Sequence, residues 1–214
     1  MTITVWGRAT SSNVQAVMWC AAELGVAVDR LDIGHTYGGN DTPAYLAMNP
    51  MGKVPVMRDA DVVMFESAAI VRYLAARYGD KEFWPAPEQR GPLDTWAEWV
   101  KTAFAPAFLY GLFYPLVRRD PALLTPEIQR SGEAEVATLA GMLAARIGPG
   151  PWIGGKQFCW ADILAGHMLY RYFNLPFTRA ELPALDAYYA RLCTRPAFRE
   201  HVMVSYEPLR FKGA

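Results

Sequence analysis

Sulfur chemistry and histidine are scarce in this 214-residue chain, which carries three cysteines and three histidines. Cys20, Cys159 and Cys193 stand far apart and form no Cys-x-x-Cys pair. An odd, dispersed trio argues against a disulfide framework, a zinc site and a dithiol redox motif. Neither sign of charge is in excess, since Lys plus Arg and Asp plus Glu both number 21. Without a basic stripe, nucleic acid is a poor candidate for the main partner. Nothing resembles a membrane-spanning segment, and the opening MTITVWGR reads as a strand rather than a charged, apolar leader. These absences lead to the expectation of a cytoplasmic protein that engages neither metal, nucleic acid nor membrane. Aromatic residues, by contrast, are plentiful, with 7 Trp, 11 Tyr and 10 Phe. At this length they suffice for one large core or two small ones, and for an aromatic-lined pocket.

The first eighty residues alternate strand and helix. Residues 3–6 form a short strand, and residues 12–24 read as a helix with Val14, Val17, Met18 and Ala21 on one side. Gly25 is its stop signal. A second strand spans 27–33, and Thr42-Pro43 caps a short helix to about Met48. Pro55 opens an apolar run through Met57, and its missing N–H places it at an edge or a turn. Asp59-Ala60-Asp61 is a turn, followed by an apolar strand over 62–65. Glu66 and Ser67 then precede Ala68, Ala69, Ile70, Tyr73 and Leu74, one buried helical face. This β-α-β-α-β-β-α order predicts a thioredoxin-like α/β domain over residues 1–80.

Residues 81–88, with Pro85 and Pro87, read as a linker. Residues 89–214 contain no convincing strand and predict an all-α domain. Its helices cover 89–114 (bent near Pro106), 126–147, 159–172, 183–194 and 196–201.

Two features of the first domain point to a ligand. Ser67 falls where a helix presents unpaired N–H groups, a good seat for a carboxylate. The backbone of Val54 lies beside Pro55 and is left unpaired if that peptide bond is cis, and the two features together suggest a peptide-like ligand lying across the site. Thr10-Ser11-Ser12-Asn13, between the first strand and helix, permits two readings. These side chains either cap the helix or donate a hydrogen bond to a bound group.

The segment NPMGKVPVMRDADVVMFESAAIVRYL, with WGRATSSNVQAVMWCAAELGV and FCWADILAGHMLYR, resembles the cytosolic glutathione transferase family, in its bacterial theta-like type. The likeness spans most of the chain. It implies a catalytic Ser11 that stabilises the glutathione thiolate, although an alignment slip would exchange it with Ser12, and Asn13 is close by. A free thiol has a pKa of roughly 8.5, so little is ionised at neutral pH without such help. The resemblance also implies that Val54 and a cis Pro55 hold the cysteinyl backbone of glutathione. Ser67 and Glu66 then take the γ-glutamyl end, with Glu66 alternatively complementing the helix dipole. Lys53 meets the glycyl carboxylate or is simply solvated, and Asn40 contacts the same end or belongs to a plain turn.

Trp96, Phe104 and Phe108 on the long helix are the expected electrophile pocket, with Trp99, Tyr110, Phe113 and Tyr114 as further candidates and core packing as the alternative. Asp94 or Glu98 would reach a partner subunit's glutathione. The implied protein is a homodimer that uses glutathione as co-substrate, holds no metal, and conjugates small hydrophobic electrophiles. Glutathione-dependent isomerisation, dehalogenation or peroxide reduction would use the same site. A non-catalytic binding module of the same fold would typically lack Ser11. One departure stands out: Cys159 occupies the hydroxyl position of the helix-start box Cys159-Trp160-Ala161-Asp162. His167, on the same helix, reads as a packed or surface side chain.

Overall fold

A computed structural model describes residues 2–213. Four strands, β1 (Ile3–Trp6), β2 (Val28–Leu31), β3 (Val56–Asp59) and β4 (Val62–Phe65), form one sheet in the order β2-β1-β3-β4. β1 runs parallel to β2, with Ile3 opposite Val28, and antiparallel to β3, with Trp6 opposite Val56. The hairpin joins β3 to β4, and Ala60 takes a φ of 50° in its turn. The second strand is shorter than the alternating stretch 27–33. Its register with β1 ends at Trp6 and Leu31, although the N–H groups of Gly7 and Arg8 still donate to the carbonyls of Leu31 and Ile33 at 2.8 and 3.2 Å.

The sheet is covered by α1 (Ser12–Glu23) and α3 (Ser67–Tyr78), while α2 (Pro43–Met48) lies beside the loop before β3. Val14, Val17, Trp19 and Cys20 of α1 are fully buried, as are Ile70, Val71 and Leu74 of α3. Gly7 follows β1 so closely under α1 that a methyl group there would collide with Val14. The close approach keeps the segment before α1 beside Val54.

The second domain is built on a single long helix, α4, which runs continuously from Pro87 to Arg118. It begins two residues earlier than its apolar pattern implied, because Pro87 takes a first-turn position where no N–H is needed. It also continues past Tyr114. Widened π-type turns at Val100–Phe104 and Leu109–Arg118 accommodate Pro106 and Pro115 without breaking the rod. This helix is long and apolar enough to cross a membrane by composition alone. Its apolar side chains Phe104, Phe108, Leu112 and Phe113 are instead wholly buried in the domain core.

α5 (Pro126–Ile147) packs against α4, so near that a Cβ on Gly132 would stand 2.5 Å from the Gly111 carbonyl oxygen. α6 (Trp160–Gly166), α7 (Leu169–Asn174), α8 (Pro183–Thr194) and α9 (Pro196–His201) complete the layer. The expected single helix over 159–172 is thus two. His167 Nδ1 donates to the Leu164 carbonyl at 2.8 Å, taking the acceptor that the next helical N–H would have used. The domains are clamped by Arg195 of the second, which makes two hydrogen bonds to Glu23 of α1 at 2.6 and 2.7 Å. Trp19 meets Phe198 edge-on beside them, at a centroid distance of 4.9 Å.

At the start of α6, Asp162 accepts from the N–H groups of Cys159 and Ile153, each at 2.9 Å, and from the Tyr188 hydroxyl at 2.9 Å. Burial nevertheless raises its pKa to about 6. The Cys159 thiol is a poor acceptor for the first-turn N–H groups, whereas a serine hydroxyl is a good one. Cys159→Ser is therefore expected to stabilise the fold by about 1 kcal/mol, a rise in Tm of roughly 2–4 °C in a chain of this size. Thermal unfolding measures it, and an unchanged or lower midpoint rejects the account.

Candidate active site

A cleft of about 370 Å³ lies between the two domains, lined on the first-domain side by the β1–α1 segment and by the loop before β3. The Val54–Pro55 peptide bond is cis. Among the described residues Val54 forms no hydrogen bond to another backbone group, and it faces the cleft. The loop carrying it is tied from α2 and its neighbours. Tyr45 Oη and Asn49 Nδ2 both donate to the Lys53 carbonyl, at 2.8 and 2.7 Å. Asn40 Nδ2 donates to the Gly52 carbonyl at 2.7 Å. With those carbonyls satisfied, the unpaired edge at Val54 is held open for an extended peptide backbone.

Ser11 occupies the N-cap position of α1, yet its side chain makes no capping hydrogen bond. Helix capping therefore does not account for its hydroxyl, which lines the cleft with that of Ser12. Asn13 is committed elsewhere. Its Oδ1 accepts from Ser67 Oγ at 3.0 Å and from Lys101 Nζ at 2.7 Å. Lys101 also donates to Ser67 Oγ at 3.0 Å.

Glu66, between β4 and α3, holds a φ of 68°, a conformation that costs a non-glycine residue about 1–3 kcal/mol. The strained turn leaves the first-turn N–H groups of α3 without backbone partners and Ser67 2% exposed at the helix start. Helix dipole, free N–H groups and the Lys101 ammonium converge there, an arrangement suited to a carboxylate. Burial lowers the Lys101 pKa to about 8, against the raising fields of Glu66 and Glu98. No ion pair within 4 Å neutralises it among the described residues.

A family model described as Glutathione S-transferase, N-terminal domain, matches residues 1–76. Glutathione S-transferase GstB of Escherichia coli (strain K12) is 35% identical over 205 residues, covering 94% of this chain and 98% of that protein. The chain belongs to the glutathione S-transferase family. The theta class glutathione S-transferase of Xanthomonas axonopodis pv. citri, solved with glutathione bound, superposes with a TM-score of 0.90 at 41% identity. That match covers 95% of this chain and 98% of the other. The Bombyx mori glutathione transferase BmGSTD1 shares the fold, with a TM-score of 0.87 at 20% identity over 98% of this chain and 96% of that one.

Within this transferase the structure relocates several expected residues. Phe104 and Phe108 do not line the cleft; both are 0% exposed and pack at an angle against Tyr172 in the second-domain core. Trp96 packs against Trp99 and beneath the Arg146 guanidinium, also away from the cleft. Their helical spacing marked the inward face of α4, which serves the core. Of the candidate aromatics, the cleft wall takes Tyr110 and Tyr114, packed edge to face at 5.2 Å. Asp94 and Glu98 are both engaged by Arg72 of the same chain, at 2.8 and 2.9 Å. Asn40 spends its amide donor on Gly52, while Lys53 is exposed at the cleft edge.

His167 is a packed side chain whose pKa burial lowers to about 3, and Cys20 is wholly buried. No cluster of three or more potential metal ligands occurs among the described residues. Sequence reasoning overlooked Lys101 and Arg171. Each is a lone charge within an apolar helical run, WVKTAF and LYRYF, and that isolation was the available signal.

The Lys101 shift gives a pH-dependent expectation for the ligand-free protein. Its folded pKa lies below the unfolded value of 10.5, so the unfolded chain binds more protons between about 8 and 10.5. Lys101 therefore costs stability at neutral pH, and that cost is relieved as pH rises through this window. Lys101→Met should raise Tm by about 2–4 °C at pH 7 and lose this gain by pH 10, as read by thermal unfolding at both pH values. A variant that is less stable at pH 7 contradicts this reading.

Proposed function

We propose that this enzyme conjugates the glutathione thiolate to small electrophiles, with Ser11 as the hydrogen-bond donor to the sulfur. The observation that carries this reading is the uncommitted Ser11 hydroxyl in the same cleft as the unpaired Val54 edge. The cysteinyl backbone of glutathione lies along Val54 beside Pro55. Its γ-glutamyl carboxylate meets the α3 N-terminus at Ser67, where Lys101 supplies a counter-ion, and Glu66 faces the ammonium group. The glycyl end extends towards Lys53 and Asn40.

Chemistry follows from these placements. A donor hydroxyl and the N-terminus of α1 both favour the charged sulfur, and each pKa unit lowered is worth about 1.4 kcal/mol. The thiolate and acceptor are then held together in a partly desolvated cleft, the main source of rate in such a reaction. Tyr110 and Tyr114 offer the apolar surface for the acceptor. A cytoplasmic homodimer is the form proposed, supported by the free thiols Cys20, Cys159 and Cys193 and by the exposed Met51, Val62 and Phe65.

The test follows the ultraviolet thiolate band of bound glutathione through a pH titration. Wild type should titrate below the roughly 8.5 of a free thiol. Ser11→Ala should raise the bound pKa by about 1–2 units and lower kcat/KM at neutral pH by about 10–100-fold. An unchanged pKa removes Ser11 from this role. A shift seen only in Ser12→Ala or Asn13→Ala moves the donor to that residue.

A further inference from the structure

Three arginines line the cleft that holds Ser11: Arg8 from the β1–α1 segment, Arg118 from the last turn of α4, and Arg171 from α7. Arg171 is 4% exposed, so it is no ordinary solvated surface charge. One of its nitrogens, Nη2, donates to the Thr10 carbonyl at 2.6 Å, and its guanidinium lies 4.6 Å from the Phe113 ring centroid. Its Nε is buried without a partner, as is the Nε of Arg8. The Arg118 guanidinium sits 4.7 Å from the centroid of Tyr114, whose ring forms part of the cleft wall.

Among the described residues no carboxylate pairs with any of the three, and no Asp or Glu lines the cleft. The chain as a whole has zero formal charge, so the cluster reflects local segregation rather than general basicity. A buried charge removed from water is costly unless paired, and like charges brought together deepen that cost. The cost shows in the protonation equilibria. Burial, then Arg118, lowers the pKa of Arg8. Burial first, with Arg8 and Arg118 adding to it, brings Arg171 down to about 10. An arrangement this unfavourable when empty becomes favourable with an anion inside it.

We infer that the acceptor of this transferase is an electrophile bearing a carboxylate, which Arg118 and Arg171 seat, with Arg8 beside them, while its reacting carbon faces Ser11. The inference rests on the conjugation reading given above. Guanidinium groups match a carboxylate in shape and in bidentate hydrogen bonding, and the Tyr110 and Tyr114 rings receive the apolar body. With an aryl chloride acceptor, the thiolate sulfur forms a C–S bond at the carbon carrying chlorine. The C–Cl bond breaks, chloride leaves with the bonding pair, and the thiol proton passes to solvent. The conjugation reading assigns glutathione's own two carboxylates to other groups, the Ser67–Lys101 end and Lys53.

The experiment compares a chlorodinitrobenzoate, its chlorine para to the carboxylate, with the corresponding primary amide, which has nearly the same shape and no charge. Each kcat/KM is divided by the uncatalysed second-order rate constant for that compound. Turnover of the amide tests conjugation itself, and the ratio between the two compounds tests the anion seat. Wild type should favour the carboxylate by about 10–100-fold, the size of a charge-assisted hydrogen bond lost by the amide. Arg118→Gln and Arg171→Gln should each cut that preference by about tenfold; the half-buried Arg118 provides a reading even where the buried Arg171 variant does not fold.

Calorimetry with S-methylglutathione separates the two sources of carboxylate. Weaker S-methylglutathione binding by the Arg118 variant that accounts for its whole kinetic loss would assign the cluster to glutathione instead and overturn the inference. A wild-type enzyme that turns over the amide as well as the carboxylate overturns it too, while leaving conjugation intact.

Discussion

Lys101 reaches from the long helix of the second domain to Asn13 and Ser67 of the first, and these short bonds set the relation between the two halves of the site. The ammonium is buried, has only neutral partners within hydrogen-bond distance, and lies at the positive end of α3. Each of those circumstances is unfavourable, and all become favourable once a carboxylate enters. The fold thus holds a local excess of positive charge at the place where the helix start already leaves N–H groups unpaired. Stability given up at a site in this way is common where recognition depends on it.

The opposite side of the cleft rests on neutral hydrogen bonds. Tyr45, Asn49 and Asn40 satisfy the carbonyls of Lys53 and Gly52, so the loop cannot fold back on itself to satisfy Val54. The strand edge remains open because its neighbours are already occupied. The φ of 68° at Glu66 serves the same end by turning the chain sharply from β4 into α3. The groups proposed to meet a peptide backbone and its anionic terminus are therefore fixed by the fold before any ligand arrives.

The sequence made most of this architecture readable because the signals were local. β1 and α2 end where the pattern put them, and Asp59-Ala60-Asp61 marked the hairpin. The cis Val54–Pro55 bond and the helix start at Ser67 were legible as a strand edge and a cap, because such places leave characteristic residues. The second domain was harder to read. The face of α4 that carries Phe104 and Phe108 has the same spacing whether it lines a pocket or fills a core, and burial by α7 decides for the core. The break at His167 depends on one side chain competing for a carbonyl, which no apolar periodicity records. Lys101, Arg118 and Arg171 meet residues 34 to 161 positions away or face a cleft that only the folded chain creates.

The unbroken run of α4 from Pro87 to Arg118 carries a further consequence. One rod bears Lys101, bonded to Asn13 and Ser67, and, further along, the cleft-lining Tyr110, Tyr114 and Arg118. The widened turns around Pro106 and Pro115 keep it continuous. Where occupants of the two ends favour the same position of this helix, each raises the other's affinity by the same factor. The lever that joins them is a single piece of secondary structure.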